Sequence, residues 1–265
     1  MLLRELKILK SHGSQYIRNL ADVKLHDTFR GRPEISGNIT TDEALELENI
    51  CPAGAIKHYP EVVLDMGKCL FCKECQFQKP DLIKFTSDYK IAANSRSGLI
   101  IKAGDKNPAF FRSDLVRKEI RKIFGRALKL RQISAGGDNS CEMELNATGN
   151  VNFDMGRFGI EFYASPRHCD GIVITGPVTQ NMEEALKICY EATPSPKIII
   201  LAGTDAISGG LFSENAAVKR SFIENHTIDL YVPGNPIHPL TFINGIMNLF
   251  FDKVGDNTVR NEEIS

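Results

Sequence analysis

Four cysteines in the first third of the chain have a spacing that suits iron. Cys69, Cys72 and Cys75 form a C-x₂-C-x₂-C run, and Cys51 lies upstream of that run, directly before Pro52. Three thiolates on one tight loop can bind three irons of a [4Fe–4S] cubane, and the fourth thiolate then comes from elsewhere in the chain. The pattern therefore predicts one [4Fe–4S] cluster. A zinc site on the same four cysteines is the alternative, although zinc ribbons usually carry two separate C-x₂-C pairs.

The same region lacks the ligands that a second cluster would need. In two-cluster ferredoxins the last cysteine of each run binds the other cluster. Here the run ends in Lys79-Pro80 instead of Cys-Pro, and the positions expected for the other run hold Thr41, Ala44 and Leu47. One ligand set is complete and every ligand of the other is absent. We therefore expect a single cluster in this region.

The residues around these cysteines resemble a known family. FRGRPE at 29–34, CPAGAI at 51–56 and LDMGKCLFCKEC at 64–75 resemble the two-cluster ferredoxin subunit of respiratory complex I and of membrane-bound [NiFe] hydrogenases. The resemblance implies a small α+β ferredoxin-like domain over residues 1–107. Little in this stretch could build a core unaided, so we expect the cluster to stabilise it.

Residues 108–254 have the pattern of an α/β domain with a parallel sheet. GIVITG at 171–176 and KIIILAG at 197–203 are short apolar runs of the kind buried on both faces of such a sheet. NMEEALKICYEAT at 181–193 predicts the helix between these strands, which completes a βαβ unit. Ligand sites of open parallel sheets form at the carboxyl ends of the strands.

The other segments of this half are predicted from weaker patterns. A helix is predicted from Ser113, as its N-cap, to Gly125, with a basic surface that is either solvated or docked on an acidic partner or lipid headgroups. Residues 228–234 predict a further strand, and residues 239–251 predict a closing apolar helix. Residues 255–265 form a polar tail.

The second half also resembles a family, over a long colinear stretch. FGRALKLRQISAGGDNSCEMEL at 124–145, RFGIEFYASPRHCDGIVITGPVT at 157–179, ILAGTDAISGG at 200–210 and DLYVPGNP at 229–236 carry the likeness. They resemble the small subunit of group 4, energy-converting [NiFe] hydrogenases and the 20 kDa complex I subunit that holds the last cluster before quinone. The resemblance implies a flavodoxin-like fold, with a large-subunit homologue and membrane subunits as partners. It also implies a peripheral place on the cytoplasmic face of the inner membrane.

The chain departs from that family at the cluster ligands. The family binds its cluster with four cysteines, and this chain carries Asp138, Cys141, Asp205 and Asn235 at those positions. Such a set is poor for a cubane, because soft irons favour thiolates and carboxylates favour harder cations. We expect an empty, hydrated pocket, with another metal on the two carboxylates or a conventional cluster as alternatives. If both carboxylates are buried together, one should have a raised pKa.

Four further residues acquire roles only through the resemblance. In the family a glutamate at the position of Glu142 is associated with proton movement near the catalytic subunit, and a solvated or capping glutamate is the alternative. Arg157, Arg167 and His168 match positions that face the partner subunit or quinone. An internal salt bridge is the alternative for Arg167.

Composition excludes several classes of function. The 265 residues carry 32 basic and 33 acidic side chains, and a net charge of -1 gives no global reason to expect nucleic-acid binding. No run of 18 apolar residues is present, and the charged N-terminus does not look like a signal peptide, so we expect a cytoplasmic protein. Neither a nucleophile triad nor a dinucleotide fingerprint is recognisable, so the chain alone should catalyse nothing.

Three functions are compatible with these observations. The first is an iron–sulfur electron-transfer subunit of a membrane-associated, hydrogenase-like or complex I-like oxidoreductase whose proximal cluster site is lost. The second is a non-conducting scaffold subunit of such an assembly, in which the single cluster is a structural staple. The third is a free-standing sensor of redox state or iron, against which the absence of an effector domain counts.

Overall fold

The computed structural model describes residues 2–13, 15–20, 22–106, 110–117, 119 and 127–250. The helices are α1 (Leu2–His12), α2 (Thr41–Ile50), α3 (Glu74–Gln78), α4 (Ser140–Ala147), α5 (Gln180–Ala192), α6 (Thr204–Ser208), α7 (Ser221–Asn225) and α8 (Pro239–Phe250). The strands are β1 (Pro33–Ile35), β2 (Ile56–Lys57), β3 (Val63–Asp65), β4 (Ile83–Phe85), β5 (Ile100–Lys102), β6 (Leu128–Ser134), β7 (Ile160–Phe162), β8 (Gly171–Thr175), β9 (Ile198–Ala202) and β10 (Leu230–Val232).

The second half of the chain forms a parallel sheet in the order β10-β9-β8-β6-β7. Numbered within this sheet, the strands run 2-1-3-4-5 from β7 to β10, which is the flavodoxin order. Every residue of β8 and β9 is buried, as their apolar, β-branched sequences require. The predicted α/β, flavodoxin-like class is confirmed. The strand order reverses between β6 and β8, and the crevice beyond their carboxyl ends is the usual ligand site of this topology.

The first half forms two small antiparallel sheets, consistent with the predicted α+β unit. One pairs β1 with β4, and the other has the order β2-β3-β5. Helix α2 begins at a capping box, in which the Thr40 hydroxyl accepts from the Glu43 N–H and the Glu43 carboxylate accepts from the Thr40 N–H. This cap fixes the start of the helix whose last turn leads into Cys51.

The two halves share one apolar core. A single cluster of buried side chains includes Leu64, Met66 and Phe71 from the first half and Ile174 and Ile207 from the second. A backbone bridge also joins Ala93 to Tyr231, next to the parallel sheet. The cysteine-rich half therefore obtains much of its burial from the α/β half, which explains how so short a set of elements is stabilised.

The connector between the halves differs in part from its prediction. Ser113–Leu115 form a single 3₁₀ turn, while residues 118 and 120–125 of the predicted helix lie outside the described residues. Arg117 holds the described end of the connector against the sheet, because its guanidinium donates to both oxygens of the buried Asp229 carboxylate.

The second half closes on the apolar helix α8. The closing helix α8 agrees with the predicted 239–251 within a residue, and the tail at 255–265 lies outside the described residues. Across the described ranges, no helix combines the length and the apolar character needed to cross a bilayer.

Candidate metal centre

The structure brings the four predicted iron ligands to one cavity. Its empty volume, including the opening to solvent, is about 310 Å³. Cys51 follows α2 directly, Cys69 and Cys72 lie on the loop between β3 and α3, and Cys75 lies in the first turn of α3. Cys69 and Cys75 are buried, Cys51 is half-buried and Cys72 is exposed. The cavity therefore has a closed apolar side and one edge that reaches the surface.

Backbone N–H groups around this cavity are aimed at sulfur. The Ala55 N–H lies 3.2 Å from Cys51 Sγ, and the Phe71 N–H lies 3.3 Å from Cys69 Sγ. Phe71 and Lys73 adopt left-handed backbone, with φ of 53° and 66°, which curls the loop around the cavity. Hydrogen bonds of this kind stabilise negative charge on ligand sulfurs and tune clusters in iron–sulfur proteins.

The four thiols are close enough for their charges to affect one another. Burial raises the pKa of Cys69 far above its usual range, and burial together with the neighbouring thiols raises the pKa of Cys75 to about 11. Four thiolates so close together are stable only beside compensating cations, and soft irons supply them. Within the described ranges, no group of three or more His, Cys, Asp or Glu side chains, these cysteines included, is arranged to hold a metal ion as it stands. Four cysteine side chains that line one cavity are nevertheless the donor type that a cubane takes.

The positions expected for a second ferredoxin cluster hold apolar packing and an ion pair. Ala44 and Leu47, on the inner side of α2, are fully buried, and Leu47 packs in the shared core. Lys79, which occupies the position predicted for the last cysteine of the run from Cys69, pairs with Glu46 of α2. Thr41 is exposed at the start of the helix.

The residues of the second predicted site lie beyond the carboxyl ends of β6, β9 and β10 of the parallel sheet. Cys141, in the first turn of α4, is buried, and burial raises the pKa of its thiol to about 12. A β-carbon on Gly203, which follows β9, would come within 2.5 Å of Cys141 Sγ, so the close approach of these two segments requires glycine. Asp205 is half-buried nearby, and Asn235 is exposed on the turn after β10.

Asp138 is exposed, not buried beside Asp205 as the prediction considered. Its carboxylate accepts hydrogen bonds from the Ser140 N–H at 2.9 Å and the Ser140 hydroxyl at 2.6 Å, and these lower its pKa. The expected raised pKa falls on Asp205, mainly through burial and then through the charges of Asp138 and Glu142. A single cysteine, beside a carboxylate that is already held by Ser140 in its own turn, does not fit a cubane.

Glu142 is neither solvated nor a helix cap. Only 5% of its surface is exposed, and its carboxylate accepts a hydrogen bond from the buried Thr175 hydroxyl at 2.7 Å. Thr175 ends β8, so this contact joins α4 to the centre of the sheet. The family role of a glutamate here, in proton movement, remains a prediction.

The three predicted partner-facing residues differ in position. Arg157 donates to the Ile17 carbonyl and lies over the rings of Tyr16 and Phe158, so it anchors the N-terminal segment and does not project freely. Arg167 and His168 are exposed on a 3₁₀ turn. Arg167 forms no ion pair with any residue that the structure describes, so the internal salt bridge is not found there.

One contact that the sequence did not indicate joins the two candidate sites. The Thr204 hydroxyl, at the start of α6, donates to the Cys69 carbonyl oxygen at 2.8 Å. Arg220 in turn donates to the carbonyls of Ala206 and Ile207 and so fixes the end of α6. No local pattern marks Thr204, because its partner is 135 residues away in the chain.

The second half matches known proteins. The sequence profile of a family described as NADH ubiquinone oxidoreductase, 20 Kd subunit, matches residues 139–249. A protein named probable membrane-bound hydrogenase subunit mbhJ, from Pyrococcus furiosus, is 33% identical over 129 residues, covering 49% of this chain and 77% of that protein. An NADH-quinone oxidoreductase subunit from Geotalea daltonii is 44% identical over 115 residues, covering 43% of this chain and 66% of that protein.

Two further proteins are similar to this half. An F(420)H(2) dehydrogenase subunit from Methanosarcina mazei is 41% identical, covering 41% of this chain and 59% of that protein. A chain of the membrane-bound sulfane sulfur reductase, an archaeal respiratory membrane complex, aligns with a TM-score of 0.43 and 26% identity, covering 49% of this chain and 72% of that chain. On the sequence matches, the chain belongs to the family of the 20 kDa subunit of NADH:ubiquinone oxidoreductase.

Proposed function

We propose that this chain is an iron–sulfur electron-transfer subunit of a membrane-associated, hydrogenase-like or complex I-like oxidoreductase. The observation that carries the proposal is the convergence of Cys51, Cys69, Cys72 and Cys75 on one cavity. A [4Fe–4S] cluster bound there would supply one-electron transfer. The hydrogenase and NADH-quinone oxidoreductase relatives support the kind of assembly proposed.

The chain's own residues would hold and shield such a centre. The buried Cys69 and Cys75 would supply the inner thiolates, and the N–H groups of Ala55 and Phe71 would stabilise charge on sulfur. Exposed Cys72 leaves one edge open to a donor or acceptor. The partners we propose are a homologue of the catalytic large subunit and membrane subunits, with the chain peripheral on the cytoplasmic face of the inner membrane.

A second function is favoured by a specific observation in the other pocket. The family's cluster position retains one thiol, Cys141, and Asp138 is engaged by Ser140. A chain without a cluster at that position would lack the centre through which electrons would pass to the large subunit. It could then act as a non-conducting scaffold whose single cluster holds the first half together.

Substitution of single cysteines in the anaerobically purified full chain tests the ligand assignment. Replacement of Cys51, Cys69, Cys72 or Cys75 by serine should each lower bound iron and the visible absorbance of the cluster. Cys141→Ser and Cys189→Ser, which change thiols outside the cavity, should retain both. Iron that is unchanged in the first four variants would refute the assignment.

A reductive titration followed by electron paramagnetic resonance separates the two functions. Reversible appearance of one low-potential signal supports electron transfer. A bound cluster that stays unreduced throughout the accessible range, in a protein that unfolds when iron is removed, supports the scaffold. Co-purification with a large-subunit homologue is expected in both cases and would exclude a free-standing sensor.

A further inference from the structure

From Leu3 to His12, helix α1 exposes its side chains to solvent. Every side chain from Leu3 to His12 is exposed, and Leu3 and Leu9 expose 75% and 68% of their surface. The Ser11 hydroxyl donates only to the Ile8 carbonyl of the same helix. Isolated helices of this length are marginal in water, so α1 is expected to need a surface that covers it.

The side chains of α1 are sorted into parallel rows. Leu3, Leu6 and Leu9 recur every three residues along one side of the helix. Each of these leucines is followed directly by a basic residue. Arg4, Lys7 and Lys10 therefore form a second row beside the leucines. A third row, with Glu5, Ile8 and Ser11, lies on the remaining side. The helix thus presents an aliphatic stripe with a flanking line of cations.

This composition suits an anionic lipid surface better than a protein. Protein interfaces are enriched in aromatic residues and depleted in lysine, whereas α1 carries leucine and lysine and contains no aromatic residue. Helices that lie in the bilayer interface place leucines at the acyl boundary and basic side chains among the headgroups. Lys7 and Lys10 have stems long enough to extend their charges to lipid phosphates while the leucines are buried.

We propose that α1 is a membrane-surface anchor that binds anionic lipid headgroups directly. Leu3, Leu6 and Leu9 enter the interface, and Arg4, Lys7 and Lys10 contact phosphate groups. This adds a contact made by the chain itself to the peripheral association through partners. It does not depend on the cluster, so its test is independent of the proposed electron transfer.

Vesicle flotation of the full-length protein tests the anchor. Wild type should float with vesicles of phosphatidylcholine mixed with phosphatidylglycerol, float weakly with phosphatidylcholine alone, and be released by high salt. Leu6→Glu should lower the partition coefficient by on the order of tenfold, because it removes a leucine from the aliphatic stripe. Lys7→Glu should lower it by a similar factor, and only for the anionic vesicles.

Ile8→Glu is the matched control, because it makes the same kind of change on the third row of the same helix. It should leave flotation close to that of wild type. The proposal is overturned if the wild type does not float with anionic vesicles. It is also overturned if Leu6→Glu and Ile8→Glu lower the partition coefficient equally. Self-association that Leu6→Glu abolishes, in the absence of vesicle binding, would instead identify a second copy as the occupant and also overturn it.

Discussion

The Thr204 hydroxyl lies 2.8 Å from the carbonyl oxygen of Cys69 and 3.2 Å from that of Gly234. Thr204 begins α6, the helix that carries Asp205 of the second pocket. Its side chain therefore connects the cysteine loop of the first half to the strand-order reversal of the parallel sheet. The two candidate sites are adjacent parts of one structure, held in register by a buried hydrogen bond.

This contact should contribute measurably to stability. Thr204→Val keeps the shape of the side chain but leaves the Cys69 carbonyl without its donor, and we expect the free energy of unfolding to fall by about 1–2 kcal/mol. Thr204→Ser retains a hydroxyl and should recover most of the loss. Denaturant titration of the three proteins measures the difference. Equal stability of the valine variant and wild type would show that the contact is dispensable.

The apolar packing of the inner side of α2 should be equally testable. Leu47 is fully buried on α2, whereas Leu45 of the same helix exposes 43% of its surface. Leu47→Ala should lower the free energy of unfolding by about 2–5 kcal/mol, because it removes buried methyl groups and leaves a cavity. Leu45→Ala, the control on the outer side of the helix, should lower the free energy of unfolding far less. Similar losses in both variants would contradict the packing described.

Gly203 should tolerate no side chain while Cys141 is present. At φ of +100°, a β-carbon would be strained by the backbone and would meet Cys141 Sγ at 2.5 Å. Gly203→Ala should therefore destabilise the protein, and Cys141→Ala should cost less in the Gly203→Ala background than in wild type. A double-mutant cycle by thermal unfolding measures this coupling. Strictly additive effects would rule out the predicted clash.

His238 should make stability depend on pH in the weakly acidic range. Burial lowers the pKa of its ring to about 4, from an ordinary 6.5, and the ring packs edge-on against Phe29 and Phe153. Below pH 6.5 the unfolded chain takes up the proton before the folded protein does. The contribution of neutral His238 to the free energy of unfolding is therefore fully present above pH 6.5. It decreases as the pH falls towards 4, by at most about 3 kcal/mol.

The pH effect is measured as a difference between two proteins. His238→Gln should show a shallower loss of unfolding free energy between pH 6.5 and pH 4 than wild type, because it removes the titrating ring. Denaturant titrations at several pH values in that window provide the comparison. Parallel curves for the two proteins would mean that His238 is not buried in its neutral form.

The sequence predicted the elements whose signals are local. The β-branched runs of β8 and β9 and the helix between them are confirmed, because fully buried parallel strands leave a continuous apolar pattern. The spacing of the four cysteines is equally local, and their predicted convergence agrees with the cavity they line. The sequence pattern predicts an α-helix from Ser113, whereas Ser113–Leu115 form a 3₁₀ turn in the structure.

Features that depend on distant contacts could not be predicted. Arg157 was assigned to a partner through the resemblance, but the N-terminal segment covers it, a contact 140 residues apart in the chain. Buried Glu142 accepts a hydrogen bond from Thr175, 33 residues away on a central strand, and no local sequence pattern indicates that contact.

The central claim is that one set of four thiols binds one cubane and that the second pocket binds none. Iron, zinc and acid-labile sulfide should be quantified per chain in anaerobically purified full-length protein, with Mössbauer spectroscopy to identify the cluster type. The account predicts a single [4Fe–4S] cluster per chain and no zinc. Two cubanes per chain, no iron, or zinc in place of iron would contradict it.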